Sequence, residues 1–167
     1  MQPTVRTFFD AASSTATHLL TDPVSRAAAI VDPVLDFEPR GARLSTASAD
    51  AVLAAVREDG LELRWVLETH AHADHLSGAD YIRRRTGAPI VIGARIREIQ
   101  QTFATLFEAS DVVPDGRAFD RLVEEGDVLP FGGLEIRVLH TPGHTPACVT
   151  YLVGDAAFVG DTLFMPD

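Results

Sequence analysis

The chain has 167 residues, 46% hydrophobic and 23% charged, an ordinary globular composition and enough for one domain with a sizeable core. A formal net charge of -10 opposes phosphate backbones and anionic lipid heads, which argues against nucleic-acid or membrane-surface binding. No run approaches the roughly 18 apolar residues of a membrane span, Met1-Gln2-Pro3 does not begin a signal peptide, and the single Cys148 excludes an intrachain disulfide; the chain reads as soluble and cytoplasmic.

Val5 to Phe9, Ala16 to Leu20 and Ala27 to Val31 are β-rich or apolar runs parted by turn residues, which predicts an antiparallel meander. Residues 34–46 have no clean period and read as a loop. From Ser48, a residue able to cap free N–H groups, Val52, Ala55 and Val56 recur at helical spacing until Gly60. A strand over 63–68 follows, then a helix over 77–85 closed by Gly87, a buried strand over 89–92 and a helix over 94–107. Arg83-Arg84-Arg85 lies late in its helix, where cations suit the dipole, and reads as a solvated face. Phe103 and Phe107 stand at helical spacing and read as core. Residues 108–117 form a loop, either a surface excursion or a lid. Short strands are predicted at 121–123, 128–131, 134–139, 149–153 and 156–159.

The chemistry concentrates at strand ends. Directly after Trp65-Val66-Leu67 comes His70-Ala71-His72-Ala73-Asp74-His75, three imidazoles and a carboxylate within six residues. Neutral imidazole and ionised carboxylate hold divalent zinc or iron near neutral pH, and an ordinary turn would draw on Gly, Asn, Ser and Pro. His140-Thr141-Pro142-Gly143-His144 follows another strand, and its Pro-Gly turn projects His144 as a ligand; His140, closing the strand, reads as structural. Gly160-Asp161 presents an acid at a third strand end. Cys148 is either a thiol close to the metal or a small buried hydrophobe, the latter being the commoner use of a free cysteine. His18, Asp32 and Asp127 read as hydrogen-bonding residues.

These three motifs, in this order, resemble the signature of the metallo-β-lactamase superfamily over about residues 15 to 165. The resemblance implies a layered α/β fold, the αββα sandwich with its metal site at one edge. It also implies that the sandwich continues beyond Asp167. Residues 1–167 are therefore read as one domain, truncated at its C-terminus and inactive alone. Within the superfamily, His72-Ala73-Asp74-His75-Leu76-Ser77-Gly78 and the stretch from Pro142 to Thr150 are similar to persulfide dioxygenases and to bacterial β-lactamase-like hydrolases, with glyoxalase II a near relative.

The dioxygenase resemblance implies one Fe(II) held by His70, His144 and Asp161, with His72, Asp74 and His75 around it. Glyoxalase II would imply Zn(II), with His70, His72 and His144 on one metal, Asp74 and His75 on a second, Asp161 between them, and Asp74 as the catalytic residue orienting a hydroxide. Two histidines and a carboxylate on one face of iron leave room for a persulfide sulfur and dioxygen; two metals sharing a water would instead attack a thioester. The expected activity is oxidation of glutathione persulfide, or a similar thiol persulfide, to sulfite in sulfide metabolism. Hydrolysis of acylglutathione thioesters is the alternative, and a non-catalytic, metal-binding, sulfide-responsive partner protein is a third reading. The expected partner is a small glutathione-based thiol or persulfide, with a homodimer as the anticipated assembly.

Overall fold

The computed structural model describes residues 2–164. The predicted meander is present: β1 (Thr4–Asp10), β2 (Thr15–Thr21) and β3 (Ala27–Val31) pair antiparallel in sequence order. The sheet then continues in parallel through β6 (Glu62–Leu67), β8 (Ile90–Gly93) and β9 (Arg121–Val123), giving the order β1-β2-β3-β6-β8-β9. A second, antiparallel sheet is formed by β10 (Val128–Phe131), β11 (Leu134–His140), β12 (Val149–Val153) and β13 (Ala156–Phe158). Helices α1 (Ala47–Glu58), α2 (Ala79–Thr86) and α3 (Ile96–Leu106) complete the regular structure, with a short 3-10 turn at Gly160–Thr162.

Strand periodicity explains the layers. Alternate residues of β3 face opposite ways, and all five are buried. Ala27, Ala29 and Val31 join Val91, Phe131, Val138 and Tyr151 in a core between the two sheets, built from strand residues alone. Ala28 and Ile30 point the other way, onto Val52, Leu53 and Val56 of α1 and Ile82 of α2. The result is a mixed α/β sandwich in which α1 and α2 cover the outer face of the six-stranded sheet.

Four expectations are corrected. Residues 34–46 are not a loop: β4 (Val34–Glu38) and β5 (Arg43–Ser45) form a hairpin, whose turn is held by the Glu38 carboxylate accepting the N–H groups of Arg40 and Gly41, each at 2.8 Å. Leu76–Ser77 is a short strand, β7, on the other edge of β4, so the following helix starts at Ala79. Ser48 does not cap α1, which begins at Ala47; its N–H and hydroxyl instead donate to Asp36 at 3.0 and 2.6 Å. Phe103 and Phe107 are not core, being 46% and 67% exposed and stacked on each other, because α3 buries only Ile96.

The arginine run behaves as a solvated face. Arg83 pairs with Asp80 and Asp120, Arg84 with Asp80, and Arg85 lies over the Tyr81 ring. No helix among the described residues is long and apolar enough to cross a membrane.

Candidate metal centre

Four strand ends converge at one edge of the sandwich. β3 delivers Asp32, β6 delivers residues 68–75, the turn between β11 and β12 carries His144, and β13 leads into Asp161. Parallel strands β3 and β6 lie side by side, so their C-terminal ends face the same way, the usual place for a site in such sheets.

His70, His144 and Asp161 form one group, with one ligand atom from each lying within 4.8 Å of the others. Asp161 Oδ2 is 3.8 Å from His70 Nε2 and 3.5 Å from His144 Nε2, and the two imidazole rings stand edge to face. His70 is buried, and its Nδ1 lies 3.0 Å from Thr69 Oγ1. That hydroxyl in turn donates to Asp32 Oδ2 at 2.8 Å, so the ring is locked with Nε2 toward the site. Burial, reinforced by the charge on His72, lowers the His70 pKa to about 4, leaving a neutral imidazole.

His72, Asp74 and His75 form a second group. His72 Nε2 lies 3.1 Å from Asp32 Oδ1 and 3.4 Å from Glu68 Oε2, while its Nδ1 lies 4.0 Å from Asp74 Oδ1. Burial opposes charge on His72, but the contacts with Asp32 and Glu68 outweigh it and raise the pKa to about 10. His75 Nδ1 lies 3.2 Å from Asp74 Oδ2, and its ring packs on that of His72. Burial lowers the His75 pKa.

The donor set fits a cation. His70 Nε2, His72 Nε2, His75 Nε2 and Glu68 Oε2 are buried without a hydrogen-bond partner. An unsatisfied buried polar atom costs about 1–3 kcal/mol, and a metal ion would satisfy imidazole lone pairs aimed at neighbouring carboxylates. The structure thus brings His70, His144 and Asp161 together, and His72 together with Asp74 and His75.

Asp32 has the hydrogen-bonding role expected of it, accepting the Thr69 N–H and hydroxyl, each at 2.8 Å. Its attachment to His72 was not legible. Glu68 was missed altogether: it is buried, and accepts from the Ser77 hydroxyl. An acid closing an apolar strand just before the histidines was the available signal. His140 stands outside both groups, its Nε2 2.9 Å from the Pro146 carbonyl, as a structural residue would. Cys148 is buried, and its sulfur receives the Thr145 N–H at 3.2 Å, folding the turn that carries His144. His18 pairs with Thr7, and Asp127 accepts the Glu124 N–H.

A sandwich whose strand ends gather three histidines of one loop, a fourth from a Pro-Gly turn and an acid from a third strand defines a class of metal-dependent proteins. Residues 16–167 match the family described as the metallo-beta-lactamase superfamily, and the chain belongs to it. Over 98% of its length it is 50% identical to a probable metallo-hydrolase of Burkholderia pseudomallei, covering 60% of that protein. It is 42% identical to glyoxylase B2 of Dictyostelium discoideum, with 98% of this chain and 57% of that one covered. To the mitochondrial persulfide dioxygenase ETHE1 of Homo sapiens it is 33% identical, with 96% and 53% covered. The crystal structure of ETHE1 from Myxococcus xanthus superposes with a TM-score of 0.76 at 33% identity, over 97% of this chain and 59% of that one. The chain thus spans little more than half the length of these relatives.

Proposed function

We propose that this chain is the metal-binding portion of an iron-dependent persulfide dioxygenase, acting in the cytoplasm on glutathione persulfide or a similar small thiol persulfide and yielding sulfite. The observation that carries this reading is the convergence of His70, His144 and Asp161 while His72 turns its Nε2 to Asp32 and Glu68. Two imidazoles and one carboxylate are the facial set of non-haem iron oxygenases, and the similarity to the human persulfide dioxygenase supports the same choice.

Iron bound there would supply a centre at which a sulfur ligand and dioxygen meet. The chain's own residues do the holding. Thr69 fixes the His70 ring, Asp32 fixes Thr69, and the buried Cys148 shapes the turn behind His144. Asp161 and His144 are about one-third exposed, at 32% and 38%, which leaves an approach from solvent.

A specific observation favours a second reading. His72, Asp74 and His75 also converge, and Asp74 with His75 is the pair that a binuclear zinc hydrolase of acylglutathione thioesters would place on its second metal, Asp74 orienting the hydroxide. Metal analysis and oxygen uptake on the full-length protein separate the two. The dioxygenase reading expects about one iron per chain and oxygen consumption that requires a persulfide. Two zinc ions, no oxygen uptake and rapid hydrolysis of lactoylglutathione would overturn it.

A further inference from the structure

We propose that Thr15, at the start of β2, is a positioning residue that holds Asp74 and His75 in their convergent arrangement. Its hydroxyl donates to Asp74 Oδ2 at 3.2 Å and lies 3.2 Å from His75 Nδ1. A hydroxyl that has given its one proton to the carboxylate can only accept from the ring. His75 therefore carries its proton on Nδ1, shared between Thr15 Oγ1 and Asp74 Oδ2, and presents the lone pair of its buried, partnerless Nε2 to the site. Asp74 is fixed by the same contact. With Oδ2 engaged by Thr15 and His75, Oδ1 is left toward His72 Nδ1.

The support is rigid where the supported segment is not regular. Residues 70–75 have no helix or strand, whereas Thr15 is paired with Asp10 in the β1–β2 ladder. The Asp10 carboxylate accepts the Ser13 N–H at 2.9 Å and the Ser13 hydroxyl at 2.6 Å, which fixes the turn before Thr15. A contact spanning 59 residues of sequence thus ties the histidine loop to the β1–β2 hairpin of the main sheet. Hydrogen bonds of this kind, to the far atoms of metal-ligating side chains, set tautomer and orientation.

The inference rests on reading the cluster as a metal centre, but on neither iron nor persulfide. Its test compares Thr15→Val, which keeps the shape and strand preference, with Thr15→Ser, which keeps the hydroxyl. In metal-free full-length protein at neutral pH, nitrogen-correlated NMR of the imidazoles should show His75 protonated on Nδ1 in the wild type and the serine variant. The valine variant should lose that pattern. Wild-type His75 protonated on Nε2, or a valine variant that keeps the wild-type pattern, would each overturn the proposal. Failure of oxygen uptake with persulfide would remove the dioxygenase reading and leave this one standing.

Discussion

Replacing Asp32 with asparagine tests the idea that one buried carboxylate organises the centre. Asp32 accepts the Thr69 N–H and hydroxyl at 2.8 Å and lies 3.1 Å from His72 Nε2. Its φ of 48° is left-handed, a conformation asparagine tolerates and alanine does not, so Asp32→Asn isolates the charge. The amide oxygen can still serve Thr69 N–H and His72, but an NH2 group replaces the acceptor that faced the Thr69 hydroxyl. Losing charge assistance at a buried site should cost about 2–3 kcal/mol. For a chain of this size that lowers Tm by roughly 5–10 °C.

Glu68→Gln is the contrasting change at the same imidazole. Burial raises the Glu68 pKa where that of Asp32 is lowered, so Glu68 holds its charge less firmly than Asp32, and glutamine keeps an oxygen for the Ser77 hydroxyl. The expected cost is below about 1 kcal/mol. Thermal melts of chelator-treated protein read both. His72, with a folded pKa raised to about 10 against an ordinary 6.5, contributes stability that is complete below pH 6.5 and lost as pH rises toward 10. The Asp32→Asn deficit should therefore be larger at pH 6 than at pH 9. An Asp32→Asn protein as stable as the wild type, or a Glu68→Gln protein losing as much as Asp32→Asn, refutes the reasoning.

Asp22 links the two sheets, accepting the N–H of Val24 in its own turn and the N–H of Gly133, in the β10–β11 turn, at 2.7 Å. The Ser25 hydroxyl first, then the Gly133 and Val24 N–H groups, lower its pKa from 3.8 to about 2. Its contribution is complete above pH 3.8 and is lost as pH falls toward 2, so acid melts of Asp22→Asn should be flatter than wild type over that window; parallel curves would count against it. Gly160, at φ 50°, leaves no room for a Cβ, which would strike Thr69 Oγ1 and push apart Thr69 and Asp161. Gly160→Ala should weaken binding of the first metal about 10-fold or more in a Co(II) titration. Gly126→Ala, at φ 83° with nothing near its Cβ, carries the backbone strain without the collision and should bind metal normally.

The order of elements was written in local pattern. Alternating apolar runs announced β1 to β3 and β10 to β13, and helical spacing announced α1 and α2, because burial of one face leaves a period in the chain. The β4–β5 hairpin leaves no such period, since strands of five and three residues in a small three-stranded sheet bury only Val34 between them. For the candidate centre, the dense run from His70 to His75, the turn at His144 and the acid at Asp161 supplied the candidate ligand types without any structure. What only the tertiary arrangement decided is how those side chains divide. Asp32 and Thr15 approach from strands distant in sequence, and with Glu68, four residues before His72, they set the contacts of the His72 and His75 rings. Ligand identity is a property of residue type, readable one position at a time. Ligand orientation is a property of the hydrogen bonds behind each ring, and those partners meet only when the sheet has formed.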